Sequence, residues 1–551
     1  MEHNNDILNN SSKSVHPTLW IKESKGKVLS GKTIVIGVTG SIAAVETIKL
    51  ARELIRRGAD VYAVMTDAAR RIVHEDALHY ATGNPAITEL TGRVEHVEFF
   101  GSNGSADLFL IAPATANTVS KIAAGIDDTP VTTFATTAIG EGKKVMVVPA
   151  MHESMYKHPK VLENLKTMES WGIDVIGPRF EEGIAKIADN DEIVLRVMRT
   201  LGDNSLSGKT VFITSGSTAE AIDPIRLLTN RASGKTGDAL AEEAYIRGAE
   251  VYLFHRGKSK WKHLPHFHDI HTESVKEMIE AVTEKIALAD IPLSGKNILI
   301  SAAAISDYTV DAADSKIKSG ERALTITLKP TKKLIEEACY TDPNIFIVGF
   351  KAETDVEYRQ LINSAAEKID AGIADIVVAN DVKEKGMGTN ENDVYVVTKD
   401  YLSNHDLNTI IPISGTKTEI AAALFDLIFK SAAEDDLSVL IDLEITRTAN
   451  EREADEKEED KSKSNISKSN ISDRNEEARL NLFEDTIDDT YLSEVSSGDT
   501  DIIEIADSET GDGIVDVTET EDEDENEDET SKKQTIRRKS AQMRGRIFKR
   551  K

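Results

Sequence analysis

The sequence predicts an α/β protein with two Rossmann-like, doubly wound domains in tandem and a disordered acidic tail. Three observations carry this expectation. Near-continuous apolar runs at 34–38, 108–111, 145–148, 211–214, 298–300, 345–348 and 376–379 read as strands covered on both faces, as in parallel sheets. Amphipathic stretches long enough for helices lie between them. The opening Leu-Ser-Gly-Lys recurs at Leu29, Leu206 and Leu293, each time as a polar turn feeding a short strand that ends in small residues.

In the first unit, Val45, Ile48, Ala51, Leu54 and Ile55 form a helical stripe stopped by Gly58, and the next strand starts at Val61. That is a βαβ unit, so the strands run parallel. A second such unit follows Leu206, with a helix over 238–246, a stop at Gly248 and a strand over 251–254. The chain therefore divides into an N-terminal extension at 1–27, a first domain at 28–200, a loose GDNSLSG linker, and a second domain at 206–430. Beyond Phe429 the pattern fades into Glu, Asp, Ser, Asn and Lys. Such a segment has too little apolar surface to offset chain entropy, and 431–551 is expected to be disordered.

The formal net charge is −29 over 551 residues, and the tail carries 36 acidic against 18 basic side chains. This balance argues against a general nucleic-acid binder, which needs excess Lys and Arg. The ten basic residues from Lys532 onward either pair with the neighbouring acidic run or form a tail for RNA or a partner. Cys339 is the only cysteine, so neither a disulfide framework nor a thiolate metal cluster is expected, in keeping with a reducing cytoplasm. The polar N-terminus lacks a secretory pattern, and no apolar run approaches the roughly 20 residues of a membrane span.

The chemistry concentrates at strand ends, where ligands gather in open α/β sheets. GVTGSIAA at 37–44 sets small residues at a strand end and helix start, letting backbone N–H groups approach a phosphate. Taken alone, such a turn also serves packing. Its spacing is not G-x-G-x-x-G, which disfavours an NAD(P)-dependent oxidoreductase. Thr66 follows the second strand, and APATANT at 112–118 ends the next with hydroxyl and amide groups. With His96 in VEHVEF and PAMHESM at 149–155, this order of motifs resembles the flavin-dependent cysteine decarboxylases. It resembles above all the decarboxylase half of the bifunctional coenzyme A biosynthesis family, in its archaeal branch.

The resemblance implies an FMN met by Gly40, Ser41, Thr66, Thr115 and Asn117, and 4′-phosphopantothenoylcysteine held at the PAMHESM clamp. FMN chemistry solves a specific problem: oxidation of the cysteine side chain creates an electron sink β to the carboxylate, so CO₂ can leave without an unstabilised carbanion. His96 is expected as base or proton shuttle, since imidazole can hold either state near neutral pH. Two departures stand out. His152 occupies the position of a bacterial Asn, and the flap at 180–189 lacks the bacterial Cys proton donor. His152, Glu181, Glu182, Lys186 and water are the alternatives.

TSGSTAEAIDPIRLLTNRASGKTG at 214–237, AAAISDY at 302–308, KIKS at 316–319, GFKAET at 349–354 and VVANDV at 377–382 follow in the order of the same family's ligase half. The resemblance covers 206–430 and implies CTP-dependent joining of 4′-phosphopantothenate to L-cysteine through an acyl-cytidylate. Asn230 is then expected on the acyl-cytidylate, Lys316 on the triphosphate, Asp307 on the cytosine amino group, and Phe350 and Lys368 at further CTP contacts. A second lysine expected four residues beyond Lys368 is Gly372. Mg²⁺ is expected with the triphosphate, though no local carboxylate cluster reveals its ligands. The family also implies a homo-oligomer, decarboxylase trimers joined by ligase dimers into a dodecamer. The competing reading is a regulatory, non-catalytic flavoprotein with an acidic interaction tail; retention of His96 and of a complete ligase half favours the enzyme.

Overall fold

A computed structural model describes residues 16–429 except 182–183, 259–260, 262, 291, 293–294, 319–323 and 384–387. The tail expected at 431–551, residues 1–15 and the proton-donor candidate Glu182 lie outside the described residues, and the Glu181 side chain is likewise not described.

The first sheet contains β1 (Thr33–Val38), β2 (Asp60–Met65), β3 (Leu108–Ala114), β4 (Lys144–Pro149) and β5 (Asp174–Val175). Their order is 2-1-3-4-5, and every pairing is parallel. The sheet reverses direction of growth at β1, where the carboxyl ends of β1 and β3 open a crevice. Helix α1 (Thr47–Arg56) buries Thr47, Leu50, Ala51, Leu54 and Ile55 against β1 and β2. Its stripe starts later than the sequence pattern indicates. Val45 lies in a 3₁₀ turn, Ile42–Glu46, and is 44% exposed, because Ser41 caps that turn and Thr47 anchors the helix by donating to the Ala112 carbonyl at 3.0 Å. Part of the expected N-terminal extension also packs here: Thr18, in the turn Pro17–Ile21, is buried and donates to the Tyr80 carbonyl.

The second sheet holds β6 (Thr210–Ser215), β7 (Glu250–His255), β8 (Phe267–His271), β9 (Ile298–Ser301), β10 (Phe346–Glu353), β11 (Ile376–Asp381), β12 (Glu391–Val397) and β13 (Ile411–Thr416). The order is 8-7-6-9-10-11-12-13. The first six strands are parallel, but β12 and β13 are antiparallel. These edge strands depart from the all-parallel expectation. Their residues alternate between greater and lesser burial, the pattern of a half-covered edge rather than a central strand. A helix over 417–429 closes the unit.

The two sheets share one apolar core. Helix α3 (Asn190–Leu201), which follows α2 (Ala116–Ala123) and the flap in the first half, packs Met198 and Leu201 into the same cluster as Leu240, Ala244 and Tyr245 of α4 (Lys235–Ile246). The linker expected to be loose is a packed corner. Leu206 is 1% exposed, and its N–H donates to the Arg247 carbonyl at 2.8 Å. A Cβ on Gly202 would stand 2.8 Å from the carbonyl oxygens of Ile246 and Met198, so the chain passes here only as glycine.

Candidate active sites

Three adjacent strands of the first sheet hand over to helices at one edge. Ser41 caps the 3₁₀ turn by accepting from the Ala43 N–H at 3.4 Å. Thr66 caps Asp67–Arg70 by accepting from Ala69 at 3.2 Å, and Thr115 caps α2 by accepting from Thr118 at 3.3 Å. Each handover leaves further N–H groups at a helix start without an intrahelical partner, the arrangement that receives anions. A Cβ on Gly40 would lie 2.5 Å from the Ala68 Cβ, so glycine lets the β1 and β2 ends approach.

The crevice is a cavity of about 810 Å³ walled by Gly40, Thr66, Thr115 and Asn117. The hydroxyl and amide donors fit a phosphorylated polyol, while Leu90, Pro130 and Met155 offer the apolar surface that a flat ring system needs. Two cations in the wall escaped the sequence reading. Lys121 lies one turn beyond Asn117 on α2 and pairs with Asp128 at 2.7 Å, and Arg70 pairs with Glu75. The i, i+4 spacing of Asn117 and Lys121 could have revealed the first. Ser41 is not part of this wall; its Oγ accepts from the Ala43 N–H, which leaves the hydroxyl hydrogen to donate.

His96 stands apart from the cavity wall, on the short helix Glu95–Phe100. Val94 enters that helix at φ +51°, a left-handed conformation costly for a β-branched residue and typical of constrained functional positions. Burial pushes the Glu95 carboxyl upward, but the Thr91 hydroxyl and N–H outweigh it and hold the group below its ordinary pKa. The His96 ring lies edge-on to Phe134 at 6.5 Å. Its Nδ1 is buried and has no hydrogen-bond partner among the described residues.

The clamp and the flap meet directly. Met151–His152 pairs antiparallel with Ile184–Lys186, which in turn pairs with Arg179–Glu181. The register sets Met151 opposite Ala185 and His152 opposite Ile184. His152 is exposed and caps Glu153–Tyr156, its Nδ1 accepting from the Ser154 N–H at 3.3 Å.

In the second half, a cavity of about 480 Å³ lies at the carboxyl ends of β6, β9, β10 and β11, and Asp307, Phe350 and Lys368 line it. Asp307 accepts from the Lys333 ammonium. Asn230 is not in the wall; it is exposed, and its amide donates to the carbonyls of the wall residues Ala304 at 3.1 Å and Ile305 at 3.3 Å. Lys316 also lies outside the wall. It is exposed, on a loop held by the Ile317 N–H donating to Asp223 at 3.1 Å. Gly372 adopts φ +66° in a turn, a conformation that would strain a lysine there.

Sequence reasoning missed Lys235, Lys333, Lys351 and Lys417, all in this wall. Burial pushes the Lys417 ammonium below its ordinary pKa, and the nearby Lys235 acts in the same direction. These lysines come from separate strand and helix ends, and only the GTKTE turn at 415–419, a strand-to-helix switch, marks one of them locally. Among the described residues no group of three or more His, Cys, Asp or Glu side chains is arranged to hold a metal. No described helix is long and apolar enough to cross a membrane.

Comparison with known proteins accounts for both halves. Residues 22–202 match the Flavoprotein family, and residues 206–432 match the DNA/pantothenate metabolism flavoprotein C-terminal domain. The chain is 48% identical over 422 residues to the coenzyme A biosynthesis bifunctional protein CoaBC of Thermococcus kodakarensis, covering 76% of this chain and 99% of that protein. It is 37% identical over 421 residues to the CoaBC protein of Methanocaldococcus jannaschii, covering 76% and 98%. Among solved structures, the C-terminal domain of a CoaBC protein matches at 29% identity with a TM-score of 0.33, covering 42% of this chain and all of that one. With both halves matched in order and at this identity, the regulatory-flavoprotein reading is not favoured, and the chain belongs to the bifunctional coenzyme A biosynthesis protein family.

Proposed function

We propose that the second half joins 4′-phosphopantothenate to L-cysteine at the expense of CTP, and that the first half decarboxylates the product, 4′-phosphopantothenoylcysteine, to 4′-phosphopantetheine. The observation that carries this reading is convergence. Residues expected on FMN from three separate strand ends, Gly40, Thr66 and the pair Thr115 and Asn117, line one crevice, while Asp307, Phe350 and Lys368 line another.

In the first half, FMN would supply a transient two-electron acceptor for the cysteine side chain. Gly40, Thr66, Thr115 and Asn117 would hold its phosphate and polyol, with Ser41 keeping the adjacent turn in shape. His96 would move a proton through the imidazole nitrogen that lacks a partner. The Met151–His152 clamp would orient the substrate carboxylate.

In the ligase half, the carboxylate of 4′-phosphopantothenate attacks the CTP α-phosphate, releasing pyrophosphate. The cysteine amine then displaces CMP from the acyl-cytidylate. Asp307 would accept from the cytosine amino group, and Phe350 and Lys368 would contact the nucleotide. Asn230 would donate to the acyl oxygen as charge develops there. Lys316 would swing in to the phosphates, with Lys235 and Lys417 adding fixed positive charge. Mg²⁺ would travel with the triphosphate. The same reading gives a cytoplasmic homo-oligomer.

Purification of the full chain tests both halves. A flavin absorbance band, pyrophosphate release that requires both CTP and 4′-phosphopantothenate, and CO₂ release from 4′-phosphopantothenoylcysteine are expected. Flavin without either activity would favour the regulatory reading instead.

A further inference from the structure

The carboxyl end of α4 is finished by a residue from the other half of the protein. The last carbonyls of a helix lack intrahelical partners, and here the Arg199 guanidinium, from α3, supplies donors. Its Nη1 donates to the carbonyls of Tyr245 at 2.7 Å and Ala249 at 2.9 Å, and its Nη2 donates to Gly248 at 3.0 Å. The same guanidinium lies 4.4 Å from the centre of the Tyr245 ring, a cation–π contact. A cation at this end also complements the helix dipole. Tyr245 is 1% exposed, and burial pushes its phenol up to about 12, while the Arg199 over it is half-buried. Arg199 is itself on a fixed support, because Arg196, one turn earlier, is tied to Asp174 of β5.

The other end of α4 belongs to the ligase cavity, whose wall includes Gly234, Lys235, Thr236 and Gly237. That end is tightly fitted. Ser215 donates to the Gly234 carbonyl at 2.9 Å, and a Cβ on Gly237 would lie 2.4 Å from the Ser215 Cβ. Lys235 reaches from the first turn to the Gly388 carbonyl at 3.1 Å and Asn390 Oδ1 at 2.7 Å, joining the helix start to a neighbouring loop. With 12 residues, α4 is about 18 Å long. A helix this short moves as a rod, so its tilt at one end is transmitted to the other.

Resting on the ligase reading above, we infer that Arg199, a residue of the flavoprotein half, is a positioning residue for the ligase: by holding the carboxyl end of α4 it sets where the phosphate-facing start of that helix stands. The ligase site of this chain is then incomplete without the half that precedes it.

The test uses the full flavin-loaded chain carrying Arg199→Met or Arg199→Lys. In Arg199→Met, kcat/KM for CTP in pyrophosphate release should fall about 10- to 100-fold, the range that a small misplacement of a binding group produces. The loss should appear mainly in KM, at a temperature where the variant is folded by near-ultraviolet circular dichroism. Flavin content and CO₂ release should stay at the wild-type level. Arg199→Lys should fall between Arg199→Met and wild type, because the ammonium keeps the charge and some donors yet cannot span three carbonyls as a planar fork does. Amide hydrogen exchange at 238–241, the first amides that donate within the helix, should speed up in both. A lowered melting temperature with wild-type KM and wild-type exchange at 238–241 would mean that Arg199 is merely structural and would overturn the inference. If Arg199→Met does not fold, Arg199→Lys decides on the same readouts. Absence of CTP-dependent activity in the wild-type chain would overturn the ligase reading alone, since exchange at 238–241 still tests the mechanical link.

Discussion

Lys333 and Asp307 form an ion pair at the ligase cavity, with the lysine ammonium donating to one carboxylate oxygen. The side chains are 54% and 72% exposed, so the pair adds little stability, in the range of 0–1 kcal/mol typical of surface pairs. Its use is orientation: one oxygen is engaged and the other remains for a base. Asp307→Asn is expected to leave the melting temperature nearly unchanged but to reduce the preference for CTP over UTP by about 10- to 150-fold, the worth of one charged hydrogen bond. Pyrophosphate release measured with each nucleotide checks this. An unchanged preference would remove Asp307 from base recognition.

His96→Asn should retain flavin and lose CO₂ release by about 10²- to 10⁴-fold, the usual contribution of a positioned proton-transfer group. His96 is not part of the flavin cavity wall, so its loss should not empty that cavity. Flavin content and CO₂ release measured on one preparation decide the matter. If flavin and activity disappear together, His96 has a structural role.

Lys316→Gln should slow the first ligase half-reaction about 10- to 150-fold while decarboxylation continues at its normal rate. Pyrophosphate release with cysteine omitted isolates that step. A wild-type rate there, with amide formation impaired, would move Lys316 to the second step.

The loop bearing Lys316 depends on Asp223, which accepts from the N–H groups of Ile225 and Arg226 at 2.8 Å each and of Ile317 at 3.1 Å. Burial raises its pKa, but these N–H donors outweigh it, and the carboxyl titrates below its ordinary value. A depressed folded-state pKa means that the stabilisation is fully present above the unfolded value of about 3.9 and is lost as pH falls through the lower folded value. Asp223→Asn should therefore melt below wild type near neutrality, and the difference should shrink as pH falls below about 3.9. Melting temperatures followed by circular dichroism across this range compare the two, and a difference that does not change with pH would contradict the assignment.

Removal of 431–551 should lower either activity by less than about tenfold, equivalent to about 1.4 kcal/mol of transition-state stabilisation. Assays of both steps on the shortened chain provide the measurement. A larger fall in either would assign the tail a part in that step.

What the sequence disclosed was whatever is local in the chain. Gly40, Thr66, Thr115 and Asn117 could be read because each sits where an apolar strand run stops, and strand ends of a parallel sheet point to one edge. Lys333 and Lys351 could not, because their convergence is a property of the whole second sheet. Val45 was misread because the Ser41 cap begins a tighter turn, an effect of hydrogen bonding that hydrophobic periodicity does not register. The antiparallel β12 and β13 escaped because alternating burial over a few residues is weak evidence beside long apolar runs. Lys316 was legible by motif alone; its distance from the cavity wall follows from the Asp223 anchor, 93 residues earlier in the chain.

The ladder between Met151–His152 and Ile184–Lys186 is made by main-chain groups, so what docks the flap on the clamp does not depend on which side chains the flap carries. A proton donor can therefore be exchanged without altering how the two segments meet. For protein engineering, this makes the flap an interchangeable part: a cysteine introduced along it would inherit the existing alignment, and the donor's chemistry could be varied separately from the geometry of closure.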